Sequence, residues 1–304
     1  MVAHETMMYH QPVLLHESVA GLVQDPAGTY LDLTMGGGGH SRAILDQLRG
    51  GRLIAFDQDP DAAANADELD LTFIPANFRY AAKYLRLYAI KQVDGILADL
   101  GVSSHQFDVP DRGFSTRFEA DLDMRMDTTT ERTAQQVLNT YSEAALHRIL
   151  GMYGEVRNAR TLAQAITAAR IVQPLRTVED LKKVLQRWAP RGREAKYYAQ
   201  VFQALRIEVN DELGALRDML QAVPDLLKPG GRLAVISYHS LEDRLVKNLI
   251  QSGNLAGEVQ QDFYGNVIKP LRAVNRKPIT PSAEELEQNP RARSAKLRVA
   301  EKEL

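Results

Sequence analysis

The chain has 304 residues, 44% hydrophobic and 25% charged, with a net charge of −2 and no cysteine. That length holds one large α/β domain, or one domain carrying a second inside it, and the composition is that of a globular protein in water. It excludes disulfides, thiolate metal sites and thiolate nucleophiles. No run approaches the ~18 apolar residues of a membrane span, and the first ten residues lack a basic start followed by an apolar run, so a cytoplasmic protein is expected.

In chain order, residues 29–34 (TYLDLT) read as a short strand ending in glycines, and residues 40–48 as the helix after it. Residues 52–57 (RLIAFD) form a buried-type strand, followed by Asp59 and Pro60, a capping residue and a first-turn proline. Residues 71–75 give a third strand, 77–88 a helix, and 93–100 (VDGILADL) a fourth strand. This alternation predicts βαβ units and a parallel sheet covered on both faces.

The alternation then stops. Residues 101–118 are rich in Gly, Ser, Asp and Pro, and from Thr133 to about Leu205 only helical patterns occur. One long helix is expected over 206–227, stopped by Lys228-Pro229-Gly230-Gly231. Residues 232–238 restore the strand signal, and Ser240 is a plausible N-cap for a helix to Ile250. Residues 271–279 and 293–300 form a candidate antiparallel pair. The expected architecture is a split Rossmann-like sheet, residues 1–105 and 207–304, with an all-helical domain over 106–206.

Charge is unevenly placed. Between Ala145 and Arg206 stand twelve Lys/Arg against four acids; between Lys269 and Arg298, eight against three. The rest of the chain is therefore strongly acidic. Such asymmetry suits faces that meet a polyanion, or solvated basic helices.

The sequence Asp32-Leu33-Thr34-Met35-Gly36-Gly37-Gly38-Gly39-His40 ends the first strand. Glycines admit a ligand close to backbone, and the next helix offers free N–H groups. Asp57 ends the second strand, where an acid accepts from ribose hydroxyls. No Gly-Lys-Ser/Thr follows Gly39, which excludes a P-loop, and His40-Ser41-Arg42 fits a dinucleotide site poorly. S-adenosylmethionine carries an adenosine and a sulfonium but no phosphate, so it suits a glycine turn ringed by acids, Asp99 at the fourth strand tip among them. Asn77-Phe78 stands where an adenine contact is common. Singly, His40 and Phe78 read equally as packing residues, and Asp57 and Asp99 as caps. Seven scattered histidines show no paired metal-ligand spacing, so no metal is expected.

These blocks resemble the 16S rRNA (cytosine-N4)-methyltransferases, the RsmH family, formerly MraW, over nearly the whole chain. The similarity runs through His10-Gln11-Pro12-Val13-Leu14-Leu15, Thr34 to Ser41, Asp94 to Ser104 with Gln106, and Arg112-Gly113-Phe114-Ser115. It continues through Leu122 to Asp127, Tyr153-Gly154-Glu155, Phe202 to Arg206, Ser237 to Arg244, and Asn289 to Ser294, with Met35 where Phe is commoner. The resemblance implies a class I methyltransferase fold with an inserted helical domain that helps bind RNA. It puts S-adenosylmethionine contacts on Gly38, Gly39, His40, Asp57, Phe78, Asp99 and Gln106. It implies as partner 16S rRNA in the small ribosomal subunit, with a decoding-centre cytosine as target; monomer or homodimer stays open.

Without cysteine, C5 methylation through a covalent adduct is excluded, whereas direct transfer to an exocyclic nitrogen needs only positioning. Asp99, or carbonyls of residues 100–104, are candidate acceptors for the amino hydrogens, with Tyr238 or Phe114 as stacking partners of an unstacked base and His239 as a proton acceptor. The sequence Asp99-Leu100-Gly101-Val102 lacks the Pro-Pro-aromatic of DNA amino-methyltransferases. Competing readings are a methyltransferase acting on DNA or a small molecule, a dehydrogenase, and a non-catalytic ribosome-assembly factor.

Overall fold

The computed structural model describes residues 12–303, so His10 and Gln11 of the first family-like block lie outside the described residues. The chain forms two compact units, Met1–Gly101 with Gly214–Leu304, and Val102–Leu213. In chain order the first unit contributes α1 (Leu15–Leu22), β1 (Thr29–Asp32), α2 (Gly39–Gln47), β2 (Arg52–Asp57), α3 (Ala63–Ala66), β3 (Thr72–Pro75), α4 (Ala81–Leu87) and β4 (Val93–Asp99). The helices of the second unit are α5 (Ser104–Asp108), α6 (Ala134–Thr140), α7 (Glu143–Met152), α8 (Ala159–Val172), α9 (Val178–Gln186) and α10 (Glu194–Asn210). Then follow α11 (Glu212–Leu226), β5 (Leu227–Ser237), α12 (Ser240–Ser252), β6 (Leu271–Ala273), α13 (Ala283–Gln288) and β7 (Lys296–Lys302).

The strands form one sheet in the order β3-β2-β1-β4-β5-β7-β6. Neighbours from β3 to β5 are parallel, and β7 runs antiparallel between β5 and β6. This is the Rossmann-like class I methyltransferase arrangement. Leu53, Leu97, Ala234 and Leu297 face α1 and α2, packing with Leu22 and Ile44. Their neighbours Ile54, Ile96 and Val235 are equally buried on the opposite face, as parallel strands covered on both sides require. Strand order reverses between β1 and β4, which opens a crevice at the carboxyl edge.

The second unit has its own core, in which Leu138 of α6, Ile149 of α7, Leu162 and Ile166 of α8, Leu181 of α9 and Val201 of α10 are fully buried. Thr133 and Thr177 start α6 and α9 with reciprocal capping boxes, and Ser142 caps α7. Its described residues hold no strand, only an isolated bridge between Asp121 and Thr177. No helix among the described residues is long and apolar enough to cross a membrane.

Several boundaries differ from expectation. The helix expected over 206–227 is two helices, because Asp211 adopts left-handed backbone (φ 47) after α10 and Arg206 pairs with Glu212 at 2.8 Å across the break. An apolar period runs through such a break unchanged, and Asp tolerates that conformation. Lys228-Pro229-Gly230-Gly231 does not precede the fifth strand but bulges within β5: Val93 pairs with Leu227, then Gly95 with Arg232. Of residues 271–279 only three join the ladder, and Ile279 returns for a single bridge to Leu297. Residues 290–294 form a 3-10 turn, which delays β7 to Lys296. Residues 78–80 are likewise a 3-10 turn ahead of α4.

Candidate active site

Three strand tips, β1, β2 and β4, bring Asp32, Asp57 and Asp99 to the carboxyl edge around the glycine turn. Asp32 is wholly buried and fully used: Oδ1 accepts from Thr34 N–H at 3.1 Å and Oδ2 from the Ser41 hydroxyl at 2.6 Å. Burial raises its pKa. It ties β1 to the first turn of α2, which makes it an organiser of the turn; the expected set did not include it.

The turn itself needs glycine at two points. Gly38 is the N-cap of α2 in left-handed backbone (φ 76). A Cβ on Gly39 would collide with the Pro12 ring. The Gly36 N–H donates to Asp57 Oδ2 at 2.7 Å, and the Gly36 carbonyl accepts from Asn65 Nδ2 at 3.0 Å. Asp57 Oδ1 accepts from Asp59 N–H at 2.8 Å. Each oxygen keeps a lone pair for a further donor, and burial pushes the carboxyl up to about 6.

Asp99 is anchored through its own N–H, which donates to Thr34 Oγ1 at 2.7 Å. Its Oδ1 accepts from the Tyr238 hydroxyl at 2.8 Å, and its Oδ2 lies 3.8 Å from His40 Nδ1. Burial pushes this carboxyl, too, up to about 6. The buried His40 places Nε2 3.1 Å from the Val13 carbonyl. A carbonyl only accepts, so Nε2 carries a hydrogen and Nδ1 faces Asp99. Tyr238, suggested above as a base-stacking ring, has its hydroxyl committed to Asp99, and burial first, then the Asp99 charge, holds the phenol well above its ordinary pKa.

The cap of α12 is His239, not Ser240: its side chain and Glu242 form the reciprocal box. Glu242, buried, accepts from Tyr238 N–H at 2.8 Å and stands 3.1 Å from His239 Nε2. His239 is thereby engaged locally. The wider spacing of an imidazole cap conceals it in sequence, where Ser is the ordinary capping residue.

Asn77 caps the turn after β3, accepting from Arg79 N–H at 2.9 Å and donating to Gln58 Oε1 at 2.7 Å, so the half-buried Phe78 is held next to the tip of β2. Gln106 lies in the other unit. It is buried, and its Oε1 accepts from Ser103 N–H at 3.1 Å to complete the cap of α5. Phe114 is a core residue there, 5% exposed, with the Arg112 guanidinium 6.0 Å from its ring centroid, which removes it as a stacking partner. The structure therefore gathers Gly38, Gly39, His40, Asp57 and Asp99 around one turn. Thr34, Asn65 and the Tyr238 hydroxyl join them as supports that spacing alone did not single out.

A family model described as the MraW methylase family matches residues 7–303. A Cytophaga hutchinsonii protein named ribosomal RNA small subunit methyltransferase H is 60% identical over 299 residues, 97% of this chain and 100% of that protein. Proteins of the same name from Bacteroides thetaiotaomicron and Flavobacterium johnsoniae are each 54% identical over 300 residues, 98% of this chain and 99% of theirs. Matched in this way almost end to end, the chain belongs to the MraW methylase family.

Proposed function

We propose that this protein transfers a methyl group from S-adenosylmethionine to the N4 amino group of a cytosine in small-subunit ribosomal RNA. The relatives' shared name supports rRNA of the small subunit as substrate. The observation that carries the site reading is the pair of partly open carboxylates, Asp57 and Asp99, flanking the glycine turn. Their chemistry fits the cofactor: acids for ribose hydroxyls and a sulfonium, and no cation for a phosphate. Gly38, Gly39, His40, Asp57, Phe78 and Asp99 would hold it, and Gln106 is assigned to the same role on resemblance.

When bound, the cofactor supplies an electrophilic methyl on sulfur. The protein's own residues have to turn a weak nucleophile toward it. The cytosine amine is conjugated with its ring, and a hydrogen bond from it to Asp99 Oδ2 frees the nitrogen lone pair for in-line attack. An amine that has accepted a methyl group carries one proton too many. Asp99, with His40 Nδ1 behind it, offers a place for that proton. Tyr238, donating to Oδ1, fixes the carboxylate plane. With no cysteine in the chain, the competing C5 chemistry has no nucleophile. The helical unit takes part in RNA binding in this reading, and the reaction belongs where ribosomal subunits are assembled, in the cytoplasm.

The test is incubation of the purified protein with S-adenosylmethionine and unmodified small subunits, followed by mass mapping of the rRNA. A methyl group on a cytosine N4 is expected; methylation confined to DNA, to small molecules or to no acceptor overturns the reading. A calorimetric titration of Asp57→Ala with the cofactor checks the site, since unchanged affinity would remove Asp57 from it.

A further inference from the structure

Trp188 is the only tryptophan of the chain, and it stands 40% exposed on the helical unit. It borders a trough of about 530 Å³ between α8 and α9, within the ~300–1,000 Å³ typical of small-molecule sites. The trough follows from helix geometry. Ala165, Ala168, Ala169 and Val172 recur at three- and four-residue spacing along one face of α8. Three of the four are alanines, too short to fill the space against α9. From α9, Lys183 and Val184 line the opposite wall, with Arg187 just beyond its last turn.

The backbone that carries the indole is tied down at both ends. The Trp188 backbone N–H donates to the Leu185 carbonyl at 2.9 Å, and the Trp188 backbone carbonyl accepts from Asn158 Nδ2 at 3.3 Å. The one acid in the lining, Asp180, is occupied: its Oδ2 accepts from Arg176 and Thr177 N–H at 3.1 and 3.2 Å. Burial pushes its carboxyl up, but the backbone bonds from Arg176 and Thr177, the Thr177 hydroxyl and the Lys183 charge together outweigh it and hold the carboxyl below the usual range. Arg187 pairs with no carboxylate among the described residues. The chain then runs directly into Arg191, Arg193 and Lys196, all exposed and all without a carboxylate partner among the described residues.

An apolar floor sized for a ring, one aromatic wall and an exposed cationic rim, on which Arg187 has no carboxylate partner among the described residues, are complementary to a nucleobase with its phosphates. We infer that this trough binds unpaired RNA, one base seated against Trp188 and the adjoining phosphates against Lys183 and Arg187. Stacking on an indole accepts any base, and the cations track the backbone, so the site adds affinity and orientation and leaves the choice of base to the reaction centre. This assignment rests on the rRNA reading above, but its test is separable from it.

Because Trp188 is the sole tryptophan, its emission reports on the trough alone. The full-length protein is titrated with a protein-free fragment of small-subunit rRNA. Saturable quenching is expected that weakens with salt, while S-adenosylmethionine alone leaves emission unchanged. In the K183E/R187E variant the midpoint should shift at least about tenfold. Trp188→Ala should raise KM for small subunits about tenfold, with kcat, cofactor affinity and melting temperature unchanged, and Trp188→Tyr should recover most of the loss. Emission that ignores stripped rRNA while methylation proceeds overturns the inference. So does quenching by intact subunits but never by their stripped RNA, which would assign the trough to a protein segment. Quenching without any methyl transfer supports the trough and removes the methylation reading instead.

Discussion

The acids of the sheet edge and the bases of the helical unit solve opposite problems. Asp32 is wholly buried and Asp57 and Asp99 are partly so, all fixed by backbone N–H groups and hydroxyls, and burial has driven the last two up to about 6. Arg187, Arg191, Arg193 and Lys196 lie exposed with no carboxylate partner among the described residues. A small cation has to be held in one orientation, which calls for preorganised carboxylates and costs the free protein stability. A polyanion can be met by many solvated cations, each contributing little and costing little to fold. The first kind of site is therefore sensitive to single substitutions, the second to their sum.

Changing Asp99 should break this contrast most sharply. In Asp99→Asn the amide oxygen can still accept from Tyr238 and the amide nitrogen can donate to His40 Nδ1, so the pocket remains filled. Methyl transfer is expected to fall by at least about a hundredfold, the scale of losing one preorganised transition-state contact. The melting temperature of the free protein at pH 7.5 should hold or rise. The sign follows from linkage. Asp99 titrates at about 6 folded against 3.8 ordinarily, so the protonated form favours the fold below 3.8, and that stability is lost as pH rises through 6. An uncharged side chain escapes the loss, which is on the order of 1–2 kcal/mol at neutral pH after allowance for partial exposure. A melting temperature that drops several degrees in Asp99→Asn would mean the ionised carboxylate supports the fold.

Next in size is the core of the helical unit. Leu162 on α8 is fully buried, and Leu162→Ala should destabilise that unit by roughly 2–4 kcal/mol. Denaturant unfolding followed by hydrogen exchange should show the loss concentrated in Val102–Leu213, with cofactor affinity retained. Uniform loss would show that the two units unfold as one.

Reversing Arg191, Arg193 and Lys196 together should weaken rRNA binding about tenfold at moderate salt, flatten its salt dependence, and spare cofactor binding. Equal RNA affinity would reduce the basic run to a solvated face. The smallest effect expected is on pH dependence. Cofactor affinity should decline several-fold as pH falls from 7.5 to 5.5, because Asp57 and Asp99 take up protons near 6 and lose their attraction for a sulfonium. A calorimetric series showing flat affinity would exclude these carboxylates from charge recognition.

The amino-acid sequence determined the parallel core, the glycine turn and the acids at the ends of β2 and β4, because short apolar runs, glycine runs and strand-terminal acids are local patterns. It also showed strand signals vanishing after the fourth strand until about Leu205, which is why a helical insert is expected over 106–206. It did not determine the break at Asp211 or the bulge at Pro229–Gly231, where an apolar period continues across a backbone irregularity. Only the tertiary structure decided that Tyr238 and Thr34 serve Asp99, that Asp32 is spent on Ser41, and that Phe114 is core. Those roles join residues up to 139 positions apart, and a hydrogen bond of that range leaves no periodic trace in the chain. The same holds for the trough beside Trp188, whose alanines mark a helix face in sequence and become a site only when α9 packs across them.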